Sequence, residues 1–392
     1  MRVALVHYWL VGMRGGEKVL EALCELYPEA DIFTLVADKS SLSKTILSHK
    51  ITTSFLQHIG GLKNYQKMLP LMPLALESFD LSGYDLVISS ESGPAKGIIP
   101  PPDALHVCYC HSPMRYIWDL YPQYRASAGF IGRFLMSLTA PWLRAWDVTT
   151  SMRVDHFIAN SSYVAKRIER YYRRQSTVIN PPVAVNRYAI SDEVEDFYLC
   201  AGQITPYKKI ELAVEAFTRL GKRLIVVGGG ASSALKKIAG PTVQFTGVVD
   251  DASLARYFAR ARALVYPGLE DFGIIPLESL ASGRPVIAFA KGGALETVLE
   301  GRTGILFEEQ TVEHLIAAVE RMELEHGTFD PEALRRFAME FERSKFVSRL
   351  KSHLDQLLTA HRGRGGAGRE RKITAPVSPK LAASDGQLAR VI

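Results

Sequence analysis

The sequence predicts an α/β protein built from two doubly wound, Rossmann-like domains that face each other across a cleft. Its 392 residues are too many for a single hydrophobic core of ordinary size and suit two domains of about 150–200 residues each. Short apolar runs rich in branched residues alternate with amphipathic helical patterns, which is typical of parallel strands joined by helices. This alternation stops at a polar stretch that contains prolines and then starts again, which indicates a second domain.

The first domain is expected over residues 1–180. It begins with the strand "RVALVHYW" (2–9), a loop ending in two glycines and the helix "EKVLEALCELY" (17–27), which together form the unit of a doubly wound sheet. Further apolar runs predict the strands "ADIFTLVA" (30–37), "YDLVISS" (84–90), "LHVCYCH" (105–111) and "HFIANSS" (156–162). The serines that end the last of these can cap the helix that follows.

Residues 181–196 are expected to be a linker, because they are polar and begin with a pair of prolines. The second domain is predicted over 197–344 and a C-terminal helix over 345–361, packing back on the first domain. The glycine- and arginine-rich residues 362–392 are expected to form a disordered basic tail. The second domain's strands are predicted at 197–204, 223–229, 243–249, 263–268 and 285–290, with helices at 209–220, 252–261 and 276–283 and another from 292.

Composition is that of a soluble globular protein, with 47% hydrophobic and 22% charged residues. The net charge of +6 favours anionic partners. Scattered cysteines without a CxxC pair predict buried free thiols in a reducing compartment. No apolar run reaches the ~18–20 residues that span a bilayer, and the N-terminus does not resemble a signal peptide. We therefore expect a cytoplasmic protein that can lie peripherally at the inner face of the membrane.

The stretch "GFIGRFLMSLTAPWLRAWD" (129–147) is unusually aromatic and apolar, and Pro141 is expected to break it. One interpretation is a pair of core helices. The other is an interfacial helix that meets lipid, with Arg133 and Arg144 at headgroup depth. The residues alone leave both open.

The stretch "EDFGIIPLE" (270–278) carries a glutamate at each end. Glu270 lies just beyond a buried strand, at the sheet edge where ligands bind in open α/β folds. Pro276 is a favoured first helical residue, which would place Glu278 in the first turn. Loop amides at a helix N-terminus attract anions, and carboxylates accept hydrogen bonds from vicinal hydroxyls. The pattern predicts a site for a sugar, a diphosphate and a ribose; the alternative is two glutamates that bind no ligand.

The longer segment "EDFGIIPLESLASGRPVIAFAKGGALETV" (270–298) resembles the E-x7-E region of retaining glycosyltransferases of the GT-B fold, in family 4. The segment "CHSPMRYIWD" (110–119) is similar to one in bacterial mannosyltransferases that build O-antigen and other lipid-linked polysaccharides. The resemblance covers roughly residues 1–360. It implies that a sugar nucleotide donor binds the C-terminal domain and that an acceptor lies against the N-terminal one.

The resemblance also implies roles for single residues. Glu270 should bind the donor sugar's hydroxyls, and Glu278 the ribose hydroxyls. The backbone amides of Phe272, Gly273 and Ile274 should contact sugar and phosphate.

In "AGQITPYKK" (201–209), family members often carry an arginine and, five residues later, a lysine that both face the diphosphate. Lys208 matches this lysine. Gln203 stands at the arginine position, where it can donate a hydrogen bond but brings no charge. Lys209 is the expected compensating cation.

Three further residues are expected at the site. His111 ends a strand at the functional edge of the first sheet, and the resemblance places a histidine there near the donor sugar and diphosphate. Gly16 follows the first strand, where glycine lets the backbone approach a phosphate closely. Val248, at the end of the strand "VQFTGVV" (243–249), is expected to lie against the nucleotide base.

Several other functions are disfavoured. The segment "VVGGGASS" (226–233) lacks the third glycine and the acidic partner of a dinucleotide site, which argues against a dehydrogenase. We see no zinc motif and no acidic pair suited to a metal-held diphosphate, and so predict no cofactor and no metal requirement. Nucleic acid is not expected as a partner, since no basic stripe interleaved with aromatics is present.

The function implied by the resemblance is transfer of a hexose, mannose from GDP-mannose, onto a lipid-linked saccharide with retention of configuration. The donor nucleotide-sugar, this acceptor and an anionic membrane are the expected partners. A sugar-nucleotide epimerase or hydrolase of the same fold, or transfer of another hexose from a UDP-sugar, remains an alternative.

Overall fold

The computed structural model describes residues 1–369, which form two parallel α/β domains. The strands of the first domain are β1 (Val3–His7), β2 (Asp31–Thr34), β3 (Ile51–Thr53), β4 (Leu86–Glu91), β5 (Leu105–Cys110), β6 (His156–Ala159) and β7 (Ser176–Val178). Its helices are α1 (Gly15–Leu26), α2 (Lys44–Leu47), α3 (Gly61–Asn64), α4 (Met72–Glu77), α5 (Tyr121–Ser127), α6 (Phe130–Thr150) and α7 (Ser162–Tyr172).

The second domain repeats this architecture after a connection of about twenty residues. Its strands are β8 (Tyr198–Ala201), β9 (Leu224–Val227), β10 (Val243–Gly247), β11 (Leu264–Tyr266), β12 (Val286–Phe289) and β13 (Gly304–Phe307). Its helices are α8 (Ile210–Leu220), α9 (Ser233–Lys237), α10 (Asp251–Arg260), α11 (Ile274–Ala281), α12 (Ala294–Thr297), α13 (Val312–Glu325) and α14 (Pro331–Ala338), and the chain continues into α15 (Arg343–Arg369).

Both sheets are parallel and doubly wound. The first has the order β3-β2-β1-β4-β5-β6-β7, and the second has the order β10-β9-β8-β11-β12-β13. The strand order changes direction between β1 and β4 in one sheet and between β8 and β11 in the other. Ligands of such folds bind beyond the carboxyl ends of the strands at these switch points, so the topology alone marks two facing places for a site.

The strands consist of nearly continuous apolar residues because helices cover both faces of each sheet. All five residues of β1 and all four of β8 are buried, as expected for parallel strands with two covered faces. All four cysteines are buried free thiols, which confirms the sequence prediction.

Helix α15 packs on the first domain, although it follows the second in sequence. Phe346, Leu350, Leu354 and Leu358, spaced four residues apart, are buried in the core around β1 and α1. The i, i+4 spacing places these side chains on one helix face. The helix runs through Arg369, so residues 362–369, expected to belong to the disordered tail, are helical. The remainder of that predicted tail, 370–392, lies outside the described residues.

Two local predictions are wrong. Helix α11 begins at Ile274 rather than Pro276, because Gly273 adopts the left-handed conformation (φ +95°) that ends the loop. Pro276 is thus the third helical residue, where its missing N–H costs nothing because the first four amides have no intrahelical partner. Pro141 does not break the helix α6. Proline removes the bond to the carbonyl four residues earlier, and Ser137 is exposed, so that water can reach that carbonyl.

Candidate active site between the two domains

The loop between β11 and α11 is held by backbone contacts with a pair of glycines. The amide of Gly293 donates to the carbonyl oxygen of Glu270 over 2.9 Å. A Cβ atom on Gly293 would fall 2.2 Å from Phe272 Cα, and one on Gly292 would fall 2.5 Å from the Glu270 carbonyl oxygen. Only glycine permits this approach. The segment "KGG" before α12 therefore sets the path of the loop that carries Glu270.

Glu270 and Lys208 meet at the switch point of the second sheet. Lys208 follows β8, Glu270 follows β11, and Glu270 Oε1 lies 3.1 Å from Lys208 Nζ. Both side chains are mostly buried, with 12% of Lys208 and 22% of Glu270 exposed. Despite this contact, Glu270 Oε1 accepts no well-directed hydrogen bond from the described residues. The pair thus offers a cation and a free acceptor side by side at the cleft.

Glu278 is the fifth residue of α11, two positions further along the helix than the sequence indicates. Burial raises its pKa to about 7, against the opposing effects of a hydrogen bond from Tyr188 and the charge of Arg187. Both of these partners come from the connection between the domains. The connection, expected only to link the two domains, therefore supplies neighbours of the ribose-binding candidate.

The facing wall is built from the carboxyl ends of β1, β4 and β5. His111, just after β5, lies with its Nε2 atom 2.9 Å from Ser90 Oγ. Burial lowers the pKa of His111 to about 4, so its imidazole is neutral at pH 7 and acts through hydrogen bonds rather than charge. A Cβ on Gly16 would lie 3.6 Å from His111 Nε2 and 3.3 Å from the Tyr8 hydroxyl. Two residues predicted from separate motifs, His111 and Gly16, are therefore neighbours.

The N-termini of two helices meet at the cleft. Gly15 is the first residue of α1 and Ile274 the first of α11, and a Cβ on Gly15 would lie 3.0 Å from Ile274 Cδ1. Each helix start carries unpaired amides and a partial positive charge. Their convergence favours an anion between the domains, close to Lys208.

The sequence interpretation missed an ion-pair cluster that spans the domains, which we call the clasp: Arg115, Asp119, Arg167 and Asp271. Asp271 lies 2.9 Å from Arg167 and 3.3 Å from Arg115. Asp119 lies 2.5 Å from Arg167. Burial raises the pKa of the Asp271 carboxyl, and the two arginines oppose this shift. The segment "HSPMRYIWD", which carries the resemblance to mannosyltransferases in the first domain, thus supplies two members of an interdomain contact.

The remaining candidates lie around the second-domain rim. Gln203 is exposed. Lys209 Nζ lies 3.4 Å from Glu211 in the first turn of α8, the helix that Lys209 precedes, so this lysine pairs with a local carboxylate. Val248 is 83% exposed, and its Cγ2 would lie 3.2 Å from a Cβ on Gly229.

The sequence signal that could have indicated the clasp was the spacing of Arg115 and Asp119, four residues apart. Nothing in the sequence singled out Arg167.

Residues 1–369 contain neither a candidate metal cluster nor a candidate membrane-spanning helix. No group of three or more histidine, cysteine, aspartate or glutamate side chains is arranged to hold a metal ion. In the same range, no helix has both the length and the apolar character needed to cross a membrane.

Family models match both domains. Residues 13–187 match the model described as Glycosyltransferase Family 4, and residues 195–323 match the model described as Glycosyl transferases group 1. Sucrose-phosphate synthase from Thermosynechococcus elongatus has a similar structure, with a TM-score of 0.69 and 18% identity over 92% of this chain and all of that one. At this identity the likeness shows the fold.

Curated relatives are matched over part of their length. The chain is 30% identical to a D-inositol 3-phosphate glycosyltransferase of Streptomyces avermitilis over 190 residues, which are 39% of this chain and 41% of the relative. It is 29% identical to a GDP-mannose-dependent alpha-mannosyltransferase of Mycolicibacterium smegmatis over 210 residues, 48% of this chain and 56% of the relative. The match thus spans about half the length of these relatives. With a family 4 domain followed by a group 1 domain, the chain belongs to the glycosyltransferases of the GT-B fold.

Proposed function

We propose that this chain transfers mannose from GDP-mannose to a lipid-linked saccharide with retention of configuration. One observation carries the proposal: Glu270, Lys208 and the start of α11 converge at the switch point of the second sheet, with 3.1 Å between the carboxylate and the ammonium. A sugar nucleotide combines the hydroxyls and the diphosphate that suit these groups. The similarity to the Mycolicibacterium relative, a GDP-mannose-dependent alpha-mannosyltransferase, supports the choice of donor.

In the proposed complex, Glu270 accepts hydrogen bonds from the hexose and Glu278 from the ribose. Lys208 and the amides of Phe272, Gly273 and Ile274 bind the diphosphate. Neutral His111 and the backbone at Gly16 contact the donor from the first domain, Gln203 donates a hydrogen bond to the phosphates, and Val248 borders the base. Lys209 keeps its pairing with Glu211, so Lys208 and the helix ends carry most of the charge stabilisation.

In the proposed reaction, the bond from the anomeric carbon to the diphosphate breaks as the acceptor oxygen attacks from the same face. The acceptor proton passes to an oxygen of the leaving diphosphate. Fixed cations and amides aimed at that diphosphate lower the barrier, because they need no reorganisation when its charge develops. No metal ion takes part in this scheme.

The acceptor's lipid is proposed to reach the site from an anionic membrane that contacts α6. The first half of this helix exposes apolar side chains that the protein does not cover: Phe130 89%, Ile131 73%, Phe134 65% and Leu138 66%. Residues 120–146 contain three arginines and no aspartate or glutamate. Such a surface suits the interfacial position of a monotopic helix. Arg133 is exposed and is proposed at headgroup depth, whereas Arg144 is half-buried and its Nε donates to the Ile117 carbonyl oxygen over 2.6 Å.

A melting-temperature panel with GDP, UDP, ADP and dTDP tests the donor class. We expect GDP to stabilise the protein most, by ~2.7 kcal/mol at a hundredfold over its Kd. Preference for UDP would replace GDP-mannose by a UDP-sugar, and no response to any diphosphate would refute the site. Donor consumption without an acceptor would favour the hydrolase or epimerase alternative.

Flotation with vesicles of phosphatidylcholine and anionic phosphatidylglycerol tests the membrane surface. The double variant Phe130→Ser, Phe134→Ser should lose most vesicle binding. Leu324→Ser is the matched control, because Leu324 is an equally exposed (87%) apolar side chain on the other domain. Equal binding by both variants would contradict a role for α6.

A further inference from the structure

We infer that the clasp of Arg115, Asp119, Arg167 and Asp271 positions the donor loop, so that Glu270 takes its working place only when the two domains are closed. Arg115, Asp119 and Arg167 belong to the first domain and Asp271 to the second. The inference rests on the proposed function in one respect: Glu270 must bind the donor sugar. Arg115, Arg167 and Asp271 are positioning residues.

The clasp contacts the loop on both sides of Glu270. Before it, Arg115 Nη2 donates to the carbonyl oxygen of Leu269 over 3.3 Å. After it, Ser161 Oγ donates to the carbonyl oxygen of Asp271 over 2.5 Å, and Arg167 Nη1 holds the Asp271 carboxylate. Every one of these donors comes from the first domain. Closure therefore restrains the backbone immediately before and after the donor glutamate.

A second contact ties the neighbouring glycine loop to the same wall. Glu296, in α12, accepts hydrogen bonds from the Ser162 amide over 2.7 Å and from Asn180 Nδ2 over 3.2 Å. The carboxylate thus lies at the N-terminus of α7, where the helix dipole favours it. Since Gly293 bonds to Glu270 just before α12, this contact reinforces the same loop.

The charge balance makes the clasp specific yet reversible. Two guanidinium groups face two carboxylates, and the arginines are 13% and 7% exposed. Breaking one member of such a partly buried set leaves its partner uncompensated, which costs far more than loss of an exposed pair. Opening the domains separates Asp271 from the two arginines, whereas Arg167 keeps Asp119 as its partner within the first domain, so Arg167 is not left unpaired during donor entry and product release.

The experiment compares domain closure with turnover in the full chain. Fluorescent labels at Ser48→Cys and Lys236→Cys, both exposed and one on each domain, report the interdomain distance; the native cysteines are buried. The test variants are Asp271→Asn and Arg167→Gln, with Arg167→Lys as the conservative variant. Glu313→Gln is the control, because it removes the exposed Arg219–Glu313 pair.

We expect Asp271→Asn and Arg167→Gln to shift the labels towards longer distances and to lower kcat at least tenfold. The Kd for GDP should change less than threefold, because most of the groups proposed to bind GDP, including Lys208 and Glu278, belong to the second domain. Arg167→Lys should recover part of kcat, and Glu313→Gln should match the wild type. The inference is overturned if Asp271→Asn keeps the wild-type distances and kcat, whether or not its melting temperature falls. The distance arm needs no donor, so it stands even if GDP fails to bind and the proposed function is wrong.

Discussion

The raised pKa of Glu278 makes a quantitative prediction about nucleotide binding. In the proposed complex its carboxylate accepts hydrogen bonds from two ribose hydroxyls, which requires the ionised form. Burial holds the pKa of Glu278 at about 7 in the free protein. About 9% of the molecules are ionised at pH 6 and about 91% at pH 8, so affinity should rise about tenfold, or about 1.4 kcal/mol. Binding at pH 6 should release a proton.

Isothermal titration of GDP at pH 6, 7 and 8 measures this effect, and buffers of different ionisation enthalpy report the proton. Glu278→Gln is the necessary control, since GDP has a titrating phosphate of its own that the variant leaves unchanged. Tyr188→Phe should move the midpoint to higher pH, because the Tyr188 hydrogen bond favours the ionised carboxylate. Identical pH dependence for the wild type and Glu278→Gln would refute the reasoning.

The same shift has a consequence for the protein without ligand. The pKa of Glu278 is higher in the folded state than its ordinary value of 4.5. The folded protein therefore binds a proton that the unfolded chain has already lost at neutral pH. Its contribution to the free energy of unfolding should be full below about pH 4.5 and should be lost as the pH rises through about 7.

Three further outcomes are expected. Glu270→Ala should lower kcat more than tenfold, or over ~1.4 kcal/mol, with normal folding by circular dichroism; near-normal turnover would exclude the donor role. EDTA should leave the rate unchanged, whereas a strict need for Mn²⁺ would contradict the metal-free scheme. Gly293→Ala should lower the free energy of unfolding by more than about 2 kcal/mol, because its Cβ would meet the Phe272 backbone at 2.2–2.5 Å. Gly12→Ala, with no atom within 4 Å of its Cβ, should melt as the wild type does.

Local patterns were sufficient for most of the fold. Buried parallel strands appear in the sequence as short runs of branched apolar residues, because both faces of each sheet are covered. The pattern starts again after residue 196, which indicates a second domain. The short edge strands β3 (Ile51–Thr53) and β7 (Ser176–Val178) were not found, since three partly exposed residues carry too little periodicity. The start of α11 was misplaced because Pro276 is acceptable anywhere in a first turn.

By itself, the sequence determined the two-domain α/β architecture, because strand ends and helix starts are local features. It placed the candidates Glu270, Glu278, His111 and Gly16 at such ends and starts, whereas Lys208 was chosen on the resemblance. Only the tertiary structure decided which residues join across the cleft. The clasp joins Arg115 to Asp271, 156 positions apart, and the pKa of Glu278 depends on burial beside Tyr188 from the interdomain connection. Contacts at such separations and the burial of a carboxylate are products of packing, which no local pattern encodes.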